Sequence, residues 1–305
     1  MKLTFFWAVN DRTWPRQRVV LATMEAQRIL QVVQHGRARA MHREMALKIE
    51  AAERDYLQSR VENLMQVEGN PYGARILMSA TTRCLQVQAS SSPMFNRVYG
   101  DQVTEPQAIV DLLTASLPAA VTPLIGTVSS LEQSPLLANR RLERLKGWAH
   151  VQLACAIEQA QLIPHGYAIE EVTPLTLSAF TDVHGQGFHS TPAQREMTQA
   201  SFGVPDPNDS LKIFVIKEAG EVVAGAVMYL AANGVAYLGT AATRKTARGR
   251  GYHGALIAHR VEQARALGST WVAATALANS QSRRNLQRAG LKVSHAQGLY
   301  RLAGN

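Results

Sequence analysis

The stretch RGRGYHGAL, residues 248–256, joins a predicted strand, VAYLGTAAT at residues 235–243, to a predicted amphipathic helix at residues 253–267. Glycines let the backbone approach a ligand closely, and the first N–H groups of a helix have no partner within the helix. With the helix dipole behind them, these amides predict an anion-binding site. The spacing matches neither GxxxxGK[ST] nor GxGxxG. Taken alone, the stretch would also suit a solvated loop.

The segments around this stretch follow a definite order. A hairpin is predicted across Asn233-Gly234, because this pair favours a tight turn with positive φ. After the helix come a strand, STWVAATAL at residues 269–277, and the segment NSQSRRNLQRAGL at residues 279–291. This order, together with R-x-x-G-x-x-G in the loop, closely resembles the GNAT acyltransferase superfamily. The resemblance covers about residues 167–302 and is strongest over 235–291.

The resemblance implies that the loop amides hold the pyrophosphate of acetyl-coenzyme A. It also implies that the pantetheine arm lies in a splayed gap between the strands at 235–243 and 270–277. A subgroup with RGRG-x-Q-G-A-L-I and S-x-R-N is matched by Ser282, Arg284 and Asn285. His253 stands where the superfamily usually has Gly or Ala, and either a phosphate contact or a surface position would suit it. The residues assigned to the cofactor are Leu238, Gly239, Thr240, Arg248, Gly249, Arg250, Gly251, Tyr252, His253, Gly254, Ala255, Asn279, Ser282 and Asn285.

The catalytic acid is the point at which the chain departs from the superfamily. The resemblance implies a tyrosine in the late helix that protonates the leaving thiolate, but Leu286 stands there. A thiolate with a pKa of about 8.5 leaves readily, so this acid is helpful without being obligatory. Tyr237, Tyr252 and Tyr300 are possible substitutes, and we take Tyr237 as the candidate.

A base is expected because the acceptor amine must be neutral when it attacks. The available groups are Glu170, Glu171, Asp182, His184 and His189. The two histidines fall in HGQGFHSTPAQ, residues 184–194, a predicted loop or helix–loop junction that the resemblance places over the acceptor site. His184 and His189 are therefore the candidates, although each could also be a solvated histidine. Direct transfer without an acyl-enzyme is implied.

The first half of the chain is predicted to be a second, degenerate lobe. PMFNRVYG at residues 93–100, a helix from Pro106, a strand TPLIGTV, a helix over 134–147 and a strand over 148–157 resemble the first lobe of tandem GNAT proteins. The segment DQVTE, where a glycine loop would stand, is acidic, so this lobe should not bind coenzyme A and should form one wall of the acceptor cleft. Two last strands, LKVSH and GLYRLA, are expected at the end of the chain.

These expectations give an α/β (mixed α+β) fold with two tandem lobes, each a mixed, mostly antiparallel sheet with flanking helices. Residues 1–60 are predicted to be a helical extension, 61–160 the degenerate lobe and 167–305 the catalytic lobe. This helical extension is predicted because apolar positions recur at helical spacing between residues 16 and 66.

Charge is distributed unevenly along the chain, which has a net charge of +9. Residues 240–305 carry 11 basic side chains against one acidic side chain, whereas residues 61–239 carry 10 basic and 16 acidic ones. A basic segment of this kind predicts an anionic ligand, either nucleic acid or a cofactor with three phosphate groups. The absence of a basic stripe interleaved with aromatic residues disfavours nucleic acid.

Two cysteines, Cys84 and Cys155, cannot form a disulfide framework or a metal site by themselves, so no metal is expected. The start of the chain lacks secretory features, and no membrane span is expected, so a cytoplasmic location is predicted. The function predicted is acetyl-CoA-dependent N-acyl transfer to an amine of a small molecule or peptide. A non-catalytic regulatory protein that binds coenzyme A or nucleic acid is the alternative.

Overall fold

The computed structural model describes residues 42–100, 104–116, 124–128, 134–139, 141–146 and 148–303, with the backbone alone at 125, 127 and 128. The chain divides into two compact units, Met1–Met45 and Ala46–Asn305. Of the first unit, residues 42–45 are described, and they are helical. Helical structure was predicted over residues 16–66, with a possible break at Gly36, and the part before residue 42 lies outside the described residues.

The second unit contains seven described helices and twelve described strands. Helix α1 covers residues 46–65. The other helices are α2 (Pro106–Ala115), α3 (Pro135–Ala138), α4 (Leu177–Gly187), α5 (Pro192–Phe202), α6 (Tyr252–Ala266) and α7 (Gln281–Arg288). The strands are β1 (Ala74–Ser79), β2 (Thr82–Val87), β3 (Arg97–Tyr99), β4 (Leu124–Val128), β5 (Leu142–Arg144), β6 (His150–Ala156), β7 (Ile169–Glu171), β8 (Leu211–Glu218), β9 (Glu221–Leu230), β10 (Val235–Thr243), β11 (Trp271–Leu277) and β12 (Lys292–Leu302).

The strands pair in the order β1-β2-β3-β4-β12-β6-β11-β10-β9-β8-β7, with β5 on β12. Among the described strands two pairs are parallel, β3 with β4 and β10 with β11, and the other pairs are antiparallel. Each parallel pair is connected through a helix, α2 in the first half and α6 in the second. The predicted fold class, two mixed and mostly antiparallel lobes with flanking helices, is confirmed.

The two halves exchange strands. β6, from the first half, lies between β11 and β12 of the second half. β12 begins on β6 and then continues onto β4, pairing Gln297 with Val128. The prediction of two separate last strands is wrong, because the chain runs straight from one sheet onto the other with a register shift between Val293 and His295. The sheet of the second half is therefore complete only with a strand from the first.

Two further local predictions are corrected. The helix predicted over residues 134–147 ends at Ala138, and Leu142–Arg144 instead pairs with β12, a non-local partner that outweighs the local helical pattern. Helix α5 was not predicted, although Thr191 and Gln194 form a reciprocal capping box and Pro192 occupies the first turn.

The sheet of the second half is covered on both faces. On one face α6 and α7 bury Leu238, Leu256 and Leu286 in a core that also includes Leu153 of β6. Successive strand residues point to opposite faces, so Tyr237 points away from this core, toward α1. In the described part of the chain, no helix is both long and apolar enough to cross a membrane.

Candidate active site

The strands β10 and β11 pair over a short distance. Their parallel register joins Val235, Ala236 and Tyr237 to residues 271–273 and then ends, although both strands continue. The register of β10 with β9 is interrupted between Leu238 and Ala241. Gly239 and Thr240 therefore belong to neither ladder. Beyond Tyr237 the strands β10 and β11 no longer pair, which leaves a gap between them beside this bulge.

The loop that follows β10 forms the N-terminus of α6. Gly249 and Gly251 have φ values of +82° and +85°, a region that residues other than glycine rarely adopt, and Gly251 is the N-cap of the helix. No side chain caps α6, and its first turn contains no acidic residue. A methyl group on Gly249 would contact nothing within 4 Å, so the approach to the loop is open. These free amides suit a phosphate group.

Glu218, at the end of β8, holds this loop in place through hydrogen bonds. Arg250 Nη1 donates to both carboxylate oxygens of Glu218, at 2.8 and 2.9 Å, and the Tyr252 hydroxyl also bonds to this carboxylate. The hydrogen bond from Tyr252 holds the pKa of Glu218 below its ordinary value. Arg250 and Tyr252, both predicted to contact the cofactor, thus hold the loop in shape, whereas Arg248 is exposed.

His253 connects the first turn of α6 to the middle of α7. Its Nδ1 lies 2.9 Å from Nδ2 of Asn285. Burial, assisted by the nearby Arg260, lowers the pKa of His253 to about 4. The ring is therefore neutral at pH 7, and the Asn285 amide donates to Nδ1. Two other residues near α7 were assigned to the cofactor. Ser282 is half-buried and Asn279 is exposed.

The two candidate histidines lie in different environments. His184 is on helix α4, 9% exposed, with Nε2 3.0 Å from the Thr240 hydroxyl at the bulge. Burial and the nearby Arg60 lower the pKa of His184 to about 3, so the imidazole is neutral and a weak base at pH 7. His189 is exposed, with φ at +54°, in the turn before α5.

The three tyrosines considered as replacements for the missing acid are hydrogen-bonded to other side chains or buried in a core. Tyr237 is 1% exposed, and its hydroxyl lies 2.9 Å from Oε1 of Glu53 and 3.2 Å from Oε1 of Gln152. Burial and the Glu53 carboxylate raise its pKa well above the ordinary value, so the proton is held firmly. Tyr252 bonds to Glu218, and Tyr300 is buried in the core of the first half.

Comparison with known proteins assigns this segment. A family model described as the acetyltransferase (GNAT) family matches residues 170–291. These residues form a GNAT domain. A GCN5-related N-acetyltransferase from Kribbella flavida is 18% identical, with a TM-score of 0.55, and the match covers 83% of this chain and 96% of that one. A GNAT-family protein from Novosphingobium aromaticivorans is 14% identical, with a TM-score of 0.50, over 80% of this chain and 96% of that one. At these identities the solved structures show a shared fold. A search of the curated proteins found no match.

A buried polar network, formed by α1 and strands of both halves, lies beside the GNAT domain. Arg97 of β3 pairs with Glu53 of α1 at 2.9 Å, and both side chains are fully buried. Gln297 donates to Glu53 at 2.6 Å. A methyl group on Gly126 would lie 3.1 Å from Cδ of Arg97, so glycine leaves room for the arginine to cross β4. Burial raises the pKa of Glu53, and Arg97 opposes that rise.

A cavity of about 770 Å³ opens between α1, α4 and α5. Its wall carries the carboxylates of Asp182 and Glu196 together with apolar groups such as Leu177 and Val67. Thr181 also lines it, and His184, one turn further along α4, contacts the bulge. The cavity is therefore about one helical turn from the residues that surround the gap of the GNAT domain.

Sequence reasoning missed the part of the site that α1 provides. Tyr56 lies with its ring centroid 5.9 Å from that of Tyr237 and packs against Gly239 at the bulge. Glu53, Tyr56 and Arg60 are three and four residues apart, the spacing of one helical face, and this spacing was the available signal. Among the described residues, no three His, Cys, Asp or Glu side chains are grouped so that they could hold a metal ion.

Proposed function

We propose that this protein is an acetyl-CoA-dependent N-acyltransferase that transfers the acetyl group directly to an amine of a small molecule or peptide. The observation that carries the proposal is that a bulged strand and a helix N-terminus with free amides follow one another along the chain. β10 contains the bulge at Gly239 and Thr240 beside the gap, and the loop of residues 244–251 leads from it into the uncapped N-terminus of α6.

The residues around the loop suit the cofactor. The free amides of α6 and the glycines before it would hold the pyrophosphate, with Arg248 supplying positive charge at the surface. Asn279, Ser282 and Asn285 lie on or beside α7 and would flank the same cofactor. Acetyl-CoA, when bound, supplies an acyl group that is activated as a thioester.

The protein's own contribution to the chemistry is at the bulge. Backbone N–H groups of Leu238, Gly239 and Thr240 can donate to the acyl oxygen. One fixed donor of this kind lowers the activation free energy by about 3–4 kcal/mol. The acceptor nitrogen would attack the acyl carbon and form the C–N bond, and the C–S bond would then break with its electron pair on sulfur. The proton lost by the nitrogen passes to that sulfur or to solvent. The neutral His184 orients the Thr240 hydroxyl.

The cavity between α1, α4 and α5 supports an amine as the acceptor. Asp182 and Glu196 favour a cationic group, and the apolar wall can receive the carbon chain to which it is attached. Asp182 forms a loose pair with Arg195 at 3.5 Å in which both side chains are exposed. This carboxylate is therefore accessible to a ligand.

Cofactor binding is tested first, by calorimetry on Gly251→Asp. The new side chain places volume and negative charge against the phosphate site, so acetyl-CoA binding should be lost. Gly268→Asp is the matched control, because Gly268 has a similar φ of +82°, similarly open surroundings and a place at the other end of α6. Equal binding by both variants would contradict the loop assignment.

Turnover is tested by thiol release over a panel of polyamines, amino acids and peptides at pH 7 and pH 9. At least one amine should release thiol above the hydrolysis background, and Gly251→Asp should abolish that release. If acetyl-CoA binds and no acceptor releases thiol, the protein is a non-catalytic coenzyme A-binding protein.

A further inference from the structure

Tyr56 reaches the centre of the GNAT domain from outside it. A methyl group on Gly239 would lie 2.9 Å from the Tyr56 hydroxyl oxygen and 2.8 Å from its Cζ. The hydroxyl therefore occupies the space that any side chain at position 239 would fill. Residue 56 lies outside the segment 170–291 that the family model matches. The contact joins a helix of the first half to Gly239, one of the two β10 residues that belong to neither ladder.

Arg60 fixes the direction of the Tyr56 hydroxyl. Arg60 Nη1 donates to the hydroxyl oxygen at 3.4 Å, while Nη2 and Nε donate to Ser201 Oγ at 2.6 and 3.2 Å. The guanidinium also stacks over Phe202 at 4.2 Å and over Phe95 at 4.8 Å. In the described part of the chain the hydroxyl accepts this bond and donates to no other group. Its own proton is thus available toward the bulge.

We propose that the Tyr56 hydroxyl is the side-chain donor of the oxyanion site, acting on the acyl oxygen beside the backbone N–H groups of the bulge. This inference rests on the proposed acyl transfer. As the acceptor nitrogen attacks, the π electrons of the carbonyl move onto oxygen, and the O–H and N–H donors stabilise that charge. The pair returns when the C–S bond breaks, so Tyr56 gives up no proton. Arg60 strengthens the donor by placing a positive charge on its far side.

The other polar groups near the bulge are less suited to this role. The Tyr237 hydroxyl is already bonded to Glu53 and Gln152. The ring nitrogen Nε2 of His184 is paired with Thr240. Tyr56 is therefore a catalytic residue, in the sense that it touches the reacting oxygen, and Arg60 is a positioning residue.

The test is Tyr56→Phe, with Tyr229→Phe as the matched control. Both rings lie on the same face, with centroids 6.1 Å apart, and phenylalanine preserves the packing in both variants. Tyr56→Phe should lower kcat about 100-fold and leave the Kd and KM for acetyl-CoA within about twofold. Tyr229→Phe should leave kcat within about twofold of the wild type.

A second measurement needs no turnover. The infrared carbonyl stretch of acetyl-CoA carrying a ¹³C-labelled acetyl carbonyl, bound without acceptor, should move to higher frequency in Tyr56→Phe, because a donor to the oxygen is lost. Tyr229→Phe should not move it. An unchanged frequency in Tyr56→Phe would overturn the inference even if kcat fell, because the loss would then be structural. If the frequency moves but the wild type acetylates no amine, the donor assignment stands and the proposed acyl transfer fails.

Gly239→Ala gives an independent route to the same contact. The methyl group would displace the Tyr56 hydroxyl, so kcat should fall while acetyl-CoA still binds. Because both changes act through one contact, the double variant Tyr56→Phe, Gly239→Ala should lose far less than the product of the single effects. Multiplicative losses would contradict the assignment.

Discussion

Acid should destabilise this protein through His184. The pKa of this imidazole falls from 6.5 to about 3 on folding, because the ring is buried between α4 and β10 with Arg60 nearby. Below pH 6.5 His184 binds a proton in the unfolded chain, whereas in the folded chain it stays neutral until the pH approaches 3. Stability contributed by the neutral ring is therefore present above pH 6.5 and is lost as pH falls toward the folded pKa.

The size of the effect follows from the shift. Each pH unit below the unfolded pKa removes about 1.4 kcal/mol, so the loss at pH 5 is about 2 kcal/mol relative to pH 7.5. His184→Gln removes the titration and can still bond to Thr240. The free energy of unfolding of this variant should therefore fall by about 2 kcal/mol less than that of the wild type over this range.

Urea unfolding followed by circular dichroism at pH 7.5, 6 and 5 measures this difference. His189→Gln is the matched control for replacing a histidine by glutamine, because His189 is exposed in the turn before α5. If His184→Gln loses stability with pH as steeply as the wild type, His184 is not a buried neutral ring, and the role given to it beside Thr240 fails as well.

Two further predictions concern binding. Titration should saturate at one acetyl-CoA per chain, because in the described part of the first half no glycine loop leads into α2, and a stoichiometry of two would contradict the assignment of one cofactor site. Asp182→Asn with Glu196→Gln should raise the KM for cationic amines at least tenfold and leave the KM for acetyl-CoA unchanged, since one charged hydrogen bond is worth about 1.5–3 kcal/mol. Glu221→Gln, an exposed carboxylate outside the cavity lining, is the control, and an equal rise in that variant would show that the cavity does not receive the amine.

The cofactor loop could be predicted from the sequence because its geometry is local. Gly249, Gly251 and the first turn of α6 are consecutive residues, and glycine at positive φ followed by a helix start leaves the same amides free in any fold. The hairpin at Asn233-Gly234 and the limits of β10 were predictable for the same reason, although positive φ occurs at Gly234 and not at Asn233 as expected for this pair. Helix α5 carried a readable signal as well, in its capping box.

Tertiary structure decided which distant segments complete the site. β6 inserts between β11 and β12, and β12 crosses onto the first sheet, so the strand pattern alone could not assign these partners. Tyr56 meets Gly239 across 183 positions of the chain, and Glu53 meets Tyr237 across 184. Periodicity shows that a helical face is buried, but it does not show which strand it will cover. The anion site is therefore a property of consecutive residues, whereas the groups that face the reacting atoms depend on non-local packing.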